Sequence, residues 1–351
     1  MTQPRLSLIP LLLLLATAAP AAAQRPWLTT AVWGSDDDQP RTALHGRLDA
    51  GRYFGPNATM AISFEAARLT AERVTGSPTS FSQTTTRPGL AGSIGFPAAR
   101  LGLAAEVSSL FGSPSPDAVV LWNIRPSLTL GSGVALRARV DRDRYTATAA
   151  SMDTTVLYTG YELALDRSEA PGWAGAARYR RDDYGDSNPV TTISFWILAP
   201  LTRSATHSFR AGYAFGWQDA AESRWVPRNP GNGAPSADGL VEGYYNPYYT
   251  PHDVRVHSIA ADAAIAAGSA WLTLNGAVAV VARELAPEYL LPTGALAPVL
   301  FFSERDFRPW QGTATLSVPL ASATWLALSA NYQRTAYWRM AGARVSLTQT
   351  F

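Results

Sequence analysis

Over most of this chain, apolar residues recur at every second position. In "SFRAGYAFGWQ", Phe209, Ala211, Tyr213, Phe215 and Trp217 share one face, and Ser208, Arg210, Gly212, Ala214, Gly216 and Gln218 share the other. "WQGTATLSVPL" repeats the pattern. Trp310, Gly312, Ala314, Leu316, Val318 and Leu320 alternate with Gln311, Thr313, Thr315 and Ser317. Such segments are strands with one apolar side and one polar or small side. If the apolar side meets lipid, every backbone N–H and C=O must be paired within the protein. The sheet can then have no edge and must close on itself. A soluble propeller or sandwich also alternates, but no blade-length repeat is visible. Tyr213, Phe215, Trp217, Trp310, Tyr332 and Trp338 fall near strand ends, where the aromatic girdles of a membrane barrel are expected.

Composition fits that setting. Hydrophobic residues make up 47% and charged residues 16% of the chain, with 11 Trp, 14 Tyr and 12 Phe. That charged share is below the usual quarter. No stretch after the first residues is long and apolar enough for a spanning helix, which needs about 20 residues. A net charge of +2 gives no sign of a nucleic-acid partner. There is no cysteine, which excludes disulfides and thiolate-bound metals. All basic side chains are arginine. Residues 1–23 read as a secretory signal peptide, with Arg5, an apolar run from Ile9 to Leu15 and Ala21-Ala22-Ala23 before the cut. Residues 24–351 are then the barrel, and the bacterial outer membrane is the expected location.

Segmentation gives about 16 antiparallel strands, an all-β closed transmembrane barrel. The expected spans are 27–34, 42–54, 58–72, 84–97, 101–110, 118–130, 134–146, 154–168, 173–185, 190–201, 208–220, 253–266, 271–285, 304–320, 324–334 and 338–351. Connections after even-numbered strands are mostly tight, such as "GPN" (55–57), "AAR" (98–100) and "GSG" (131–133). Those after odd-numbered strands are often longer and polar, such as "RVTGSPTSFSQ", "GSPSPD" and the stretch from Ala221 to His252. Short turns on one side and long loops on the other mark the periplasmic and outer sides.

The last strand, "MAGARVSLTQTF", places Ala341, Ala343, Val345, Leu347 and Phe351 on one face. It resembles the terminal strand of bacterial outer-membrane proteins, which implies that Phe351 is a signal to the barrel assembly machinery. Gln349 departs from the usual apolar residue there. "GYAFGWQD" (212–219) and "GYYNPYYTP" (243–251) are similar to a stretch in the C-terminal barrel of cellulose synthase operon protein C and related exopolysaccharide exporters, through Gly243, Tyr244, Tyr245, Asn246 and Pro247. That resemblance implies a polysaccharide cargo. Those exporters carry tetratricopeptide arrays before the barrel, so here a periplasmic scaffold would be a separate protein.

A barrel of this size is wide enough for an aqueous channel. Alternation turns Arg137, Arg139 and Asp141 inward on one strand, and Arg178, Arg180 and Asp182 on another. Arg47, Asp49, Glu65, Glu162, Arg210, Arg255 and Arg283 are further inward candidates. Two readings are open: an arginine eyelet that favours small anionic solutes, or acids and arginines that pair across neighbouring strands in a wet interior. Tyr244, Tyr245, Tyr248 and Tyr249 either stack sugar rings or anchor their loop at the membrane interface. "LLPTGALAPVLFF" (290–302) either extends a strand above the bilayer or forms a lid.

Catalytic signals are thin. The four histidines, His45, His207, His252 and His257, have no metal-binding spacing, and no G-x-S-x-G elbow occurs. A lipid hydrolase pairing His257 with Ser258 or another serine is the enzymatic alternative, and an adhesion barrel without a pore is another. Asp36–Asp38 could hold Ca²⁺ or be a solvated loop. A channel with no cofactor and no resident metal is the expectation, with outer-membrane lipid as its surroundings. A plugged 22-strand transporter does not fit a chain of this length.

Overall fold

The computed structural model describes residues 24–38, 41–71, 81–112, 117–131, 133–147, 151–152, 154–167, 172–227 and 236–351. The signal peptide reading at 1–23 lies outside these residues, as do parts of the loops quoted above. Sixteen antiparallel strands close into a barrel. In chain order they begin with β1 (Gln24–Asp37), β2 (Arg41–Phe54), β3 (Ala58–Ala71), β4 (Phe81–Phe96), β5 (Leu101–Leu110) and β6 (Val119–Gly131). They continue with β7 (Val134–Arg144), β8 (Leu157–Arg167), β9 (Ala174–Asp183), β10 (Val190–Arg203) and β11 (His207–Ala220). Three short strands follow: β12 (Trp225–Pro227), β13 (Leu240–Val241) and β14 (Gly243–Tyr245). The wall resumes with β15 (Val254–Ala267), β16 (Ala270–Leu290), β17 (Val299–Asp306), β18 (Trp310–Ala321), β19 (Thr324–Arg334) and β20 (Arg339–Thr350). The expected spans match most of these strands to within a few residues.

Closure is made by β1 and β20, with Trp27 opposite Thr350 and Asp37 opposite Met340. Phe351 N–H donates to Pro26 C=O at 2.9 Å beyond the last pair. The outward side chains of neighbouring strands form an apolar belt. Ile62, for example, is 59% exposed, an exposure that makes sense only against hydrocarbon. Tight turns confine the chain at the periplasmic end. Gly55 takes φ +76° between β2 and β3, a conformation that glycine enters without a Cβ clash.

One wall stands taller than the rest. β16 runs for 21 residues, pairing with β18 below and β17 above. The apolar stretch 290–302 is thus a turn followed by the first half of β17. The single strand expected over 304–320 is split at Phe307–Pro309, where proline cannot donate to a ladder. Opposite the split, β16 bulges: Ala279 and Val281 pair with adjacent residues of β15, and Val280 is extra. A bulge reverses the alternation beyond it. Val278, Val280 and Val281 all face out, while Ala282, Glu284 and Ala286 are buried on the inner side.

This corrects two expectations. Arg283 lies beyond the bulge and faces outward, paired with Asp306 at 3.1 Å. Arg255 is seven positions from the inward Asp262 on an unbroken part of β15, so it also faces out, paired with Asp253 at 2.8 Å.

Candidate functional site

The inner surface has two unlike walls and a covered outer mouth. From β2 to β9 the inward positions are ionic. Arg47 Nε donates to both Asp49 oxygens at 2.9 Å, and its Nη2 lies 3.3 Å from Glu106 on β5. Reaching β5 means passing over β3 and β4, which only the concave side allows. Glu65 meets His45 Nδ1 at 3.0 Å. Arg87 donates to Ser108 Oγ at 2.7 Å and lies 3.4 Å from Asp143 of β7. Gly89 is required beneath it, because a Cβ there would sit 2.8 Å from Ser63 Oγ and 3.0 Å from Ser108.

Arg137, Arg139, Asp141, Glu162, Arg178, Arg180, Asp182 and Arg210 all lie on inward faces, joined in acid–arginine pairs. Arg139 is 3.0 Å from Asp141, which is 1% exposed in its side chain. Arg180 spans Asp141 (3.3 Å), Glu162 (3.6 Å) and Asp182 (2.7 Å). Arg178 reaches Glu162 at 3.5 Å, and Arg137 reaches Asp166 at 3.3 Å. Gly160 lies beneath the Arg180 guanidinium, and a Cβ there would come within 2.8 Å of Asp182 Oδ1. Farther round, Arg210 forks onto Asp262 at 2.8 and 2.6 Å. Acid–arginine pairs of this kind hold each other's charge in place.

Over the periplasmic half of β16 and on β18–β20 the inward positions are mostly hydroxyls and amides. They form level rungs across the strands. Thr273, Thr315, Ser329 and Arg344 make one, and Asn275, Thr313, Asn331 and Gly342 the next. Thr315 Oγ1 and Ser329 Oγ are 3.0 Å apart. Asn275, Gln311 and Asn331 are solvent-exposed and make no side-chain hydrogen bond to another described residue. Arg344 is the cation of these rungs and lies over the Trp33 ring at 5.3 Å. Below the rungs, Trp271 and Trp325 also face inward, level with Ser317 and Thr348.

The outer mouth is crossed by loops that fold inward. Met152, in the β7–β8 connection, packs against Ala43, Leu69 and Ala71 of β2 and β3. The β11–β15 connection reaches further. Tyr248 is 2% exposed, stacks on Tyr184 at 3.7 Å and packs on Val190 and Ala220. Its hydroxyl donates to Asp186 at 2.7 Å. Arg224 Nε and Nη2 donate to the same carboxylate oxygen at 3.0 and 2.8 Å. Asn188 and Glu222 exchange two more hydrogen bonds, at 2.9 and 2.7 Å. Tyr249 N–H donates to Tyr145 O–H at 3.2 Å, and its ring lies 5.8 Å from Tyr337. Tyr245 O–H meets Tyr337 O–H at 3.3 Å. Arg305 lies 4.3 Å over the Tyr337 ring and donates to Glu284.

Tyr145 leaves β7, whereas Tyr337 joins β19 to β20 on the far side of the barrel. The tyrosines of one loop therefore bridge the mouth. Burial pushes the phenols of Tyr145, Tyr184, Tyr245, Tyr249 and Tyr337 above their ordinary value. Tyr245, Tyr248 and Tyr249 are thus packed inside the mouth and do not anchor the loop at the membrane interface. Tyr244 sits on β14, opposite Val226.

The other candidates are dispersed. His257 faces outward, with its Nδ1 2.6 Å from Tyr213 O–H, while the adjacent Ser258 is buried on the inner face. Neighbours on a strand point opposite ways, so that pair does not meet. Asp36 accepts from Thr42, Asp37 pairs with Arg41, and Asp38 pairs with Arg339. These acids tie β1 to both neighbours at the outer end. No group of three metal-ligating side chains is found among the described residues.

Reading single segments missed Asp186, Arg224, Tyr145, Tyr184, Tyr337 and the inward tryptophans. The tryptophans had a signal. In "TWLALSANYQR", Trp325 shares a face with Ala327, Ser329 and Asn331.

The chain matches no family model and no curated protein. Among solved structures it is similar to a bacterial polysaccharide outer membrane secretin, at 9% identity over 93% of this chain and 98% of that one, with a TM-score of 0.63. It is also similar to the outer membrane protein opdK from Pseudomonas aeruginosa, at 12% identity over 93% and 99% of the two chains, with a TM-score of 0.44. An outer membrane protein of Vibrio cholerae, OmpT lacking loop L8, aligns at 11% identity over 93% and 98%, with a TM-score of 0.39. The first likeness fixes the fold as that of an outer-membrane β-barrel.

Proposed function

We propose that this protein is an outer-membrane channel for a polysaccharide, closed at its outer mouth by the β11–β15 loop. The observation that carries this reading is the contrast inside the barrel. Most inward arginines and acids are tied to each other, with Arg125 the exposed exception, while the amides of Asn275, Gln311 and Asn331 stand free in solvent. A lumen of that kind offers neutral donors and acceptors to a hydroxyl-rich chain and little unpaired charge to a small anion. The similar solved structure at a TM-score of 0.63 is a bacterial polysaccharide outer membrane secretin, and that likeness supports a polysaccharide as the cargo. Polymer would enter from the periplasm and would displace the loop to leave. Insertion by the barrel assembly machinery, with Phe351 as part of its signal, belongs to the same reading.

Planar-bilayer recording tests it. Protein whose folding is checked by heat-modifiable gel mobility should conduct rarely as wild type. With Asp186→Asn and Arg224→Gln together, which free the loop, it should conduct in frequent steps. A folded double variant that stays silent across voltage would refute the channel.

A further inference from the structure

We propose that the uncharged wall is a glycan track entered from the periplasmic end. The indoles of Trp271 and Trp325 stack pyranose rings of a neutral hexose polymer there, and the amides of Asn275 and Asn331 above them bind its hydroxyls. The proposal rests on the channel reading and names the surface that its cargo follows.

The two tryptophans are out of place for a barrel. Interior faces are polar, and aromatic girdles point toward lipid. Yet Trp271 pairs with Ser317 and Trp325 with Thr348, both on the inward face, and they are 41% and 48% exposed. Packing does not account for them. Inward Trp27 rests on Gly51, where a Cβ would lie 2.6 Å from its ring, and it meets Tyr53 at 6.3 Å. Inward Trp33 stacks on His45 at 4.8 Å. Trp271 and Trp325 have no ring partner and no hydrogen-bonded partner among the described residues. Two large apolar plates are thus held open to water. That arrangement is unfavourable unless something flat and partly apolar covers them.

Their spacing suits a polymer. They stand on β16 and β19 with β18 between, and Trp271 is level with Ala327, two residues above Trp325. Strand spacing and rise place their backbones about 12 Å apart, close to the length of a disaccharide. The Thr273 and Asn275 rungs continue upward from Trp271 in the same line. A sugar ring presents C–H groups on its faces and hydroxyls on its rim, so indoles below and amides above match both parts. Along the rungs the wall adds only Arg344, which is engaged by Trp33, and Arg305 higher up is paired with Glu284, so a neutral chain fits the track better than a polyanion.

Calorimetric titration of the folded protein in detergent tests the track, with maltohexaose and cellohexaose as neutral probes and hexagalacturonate as the charged one. A neutral hexaose should bind, and more tightly than hexagalacturonate. Trp271→Ala with Trp325→Ala should weaken it at least about tenfold, the loss expected from two stacking contacts. The Phe pair should keep most of the affinity, and Asn275→Leu should weaken binding without altering heat-modifiable mobility. The track is overturned if neither hexaose binds folded wild type, if the Ala pair binds as wild type does, or if the charged probe wins. Conductance of the same preparations separates the two readings. A conducting protein indifferent to the tryptophan changes loses the track and keeps the channel. A loop-freed protein that never conducts loses the channel, and the track with it.

Discussion

The ionic wall and the uncharged wall are built from the same alternating strands, and they handle polarity in opposite ways. On β2–β9 most charges are spent on neighbours: Arg180 alone engages Asp141, Glu162 and Asp182, and Arg125 on β6 is the exposed exception. On the rungs of β16–β20 the polar groups are mostly uncharged, and several have no partner among the described residues. The polar wall that looks most reactive is therefore the one most fully occupied with itself. Its part is to brace the barrel, and the quieter wall is left to meet whatever passes.

The sharpest way to break that contrast is Asp141→Ala. It leaves Arg139 and Arg180 without their shared, buried carboxylate, and losses of about 3–5 kcal/mol attend removal of one partner from such pairs. Urea unfolding in lipid vesicles, followed by tryptophan fluorescence, measures it. A loss below that of a single neutral hydrogen bond would remove the bracing role.

Next in size is the mouth latch. Asp186→Asn should cost about 1 kcal/mol or less of stability, because the pair is partly open to solvent, while increasing channel opening severalfold in single-channel records. The latch also has a pH signature. Burial raises the Asp186 carboxyl, but hydrogen bonds from Tyr248 and Arg224 outweigh that and hold it below the ordinary carboxylate value. Its contribution is complete above about pH 4 and is lost as pH falls through the lowered value. Tyr248 is raised to about 12, by burial and then by its bond to Asp186. Its contribution is complete below about pH 10 and is lost as pH rises through about 12. Openings should thus increase at both extremes and stay level between. Asp186→Asn should abolish the acid limb.

The smallest effect is expected on the quiet wall. Thr315→Val removes its hydrogen bond with Ser329 at a cost of about 1 kcal/mol or less, and conductance should hardly change. A large loss there would mean that this wall is structural too.

Much of this was legible in the sequence, for a local reason. Alternation is a property of neighbouring residues, so strands such as β19 could be placed to the residue, and turn length marked the two ends. Failures came where geometry is not local. Nothing near Arg283 announces the bulge at Val280 that turns it outward. The split at Phe307–Pro309 depends on β16 finding a second partner above the first. The mouth was the least legible. Tyr145, Tyr184, Tyr248 and Tyr337 come from four segments far apart in the chain, and only closure brings them together. Trp325 is the instructive case. Its inward face could be read from "TWLALSANYQR", but its exposure depended on which side chains the closed barrel brought against it.

The seam between β1 and β20 has a consequence in time. Thr29 and Thr348 hydrogen-bond across it at 3.0 Å from positions 319 residues apart. Contacts of such separation close late and slowly. Every other wall contact can form between strands near in sequence, as hairpins zip up one after another. This one must wait for the whole circle. Until then the barrel is a curled sheet with two live edges, able to pair with each other or with any foreign strand at hand. The lifetime of that open form, more than the stability of the finished one, decides how often the chain is lost on its way to the membrane.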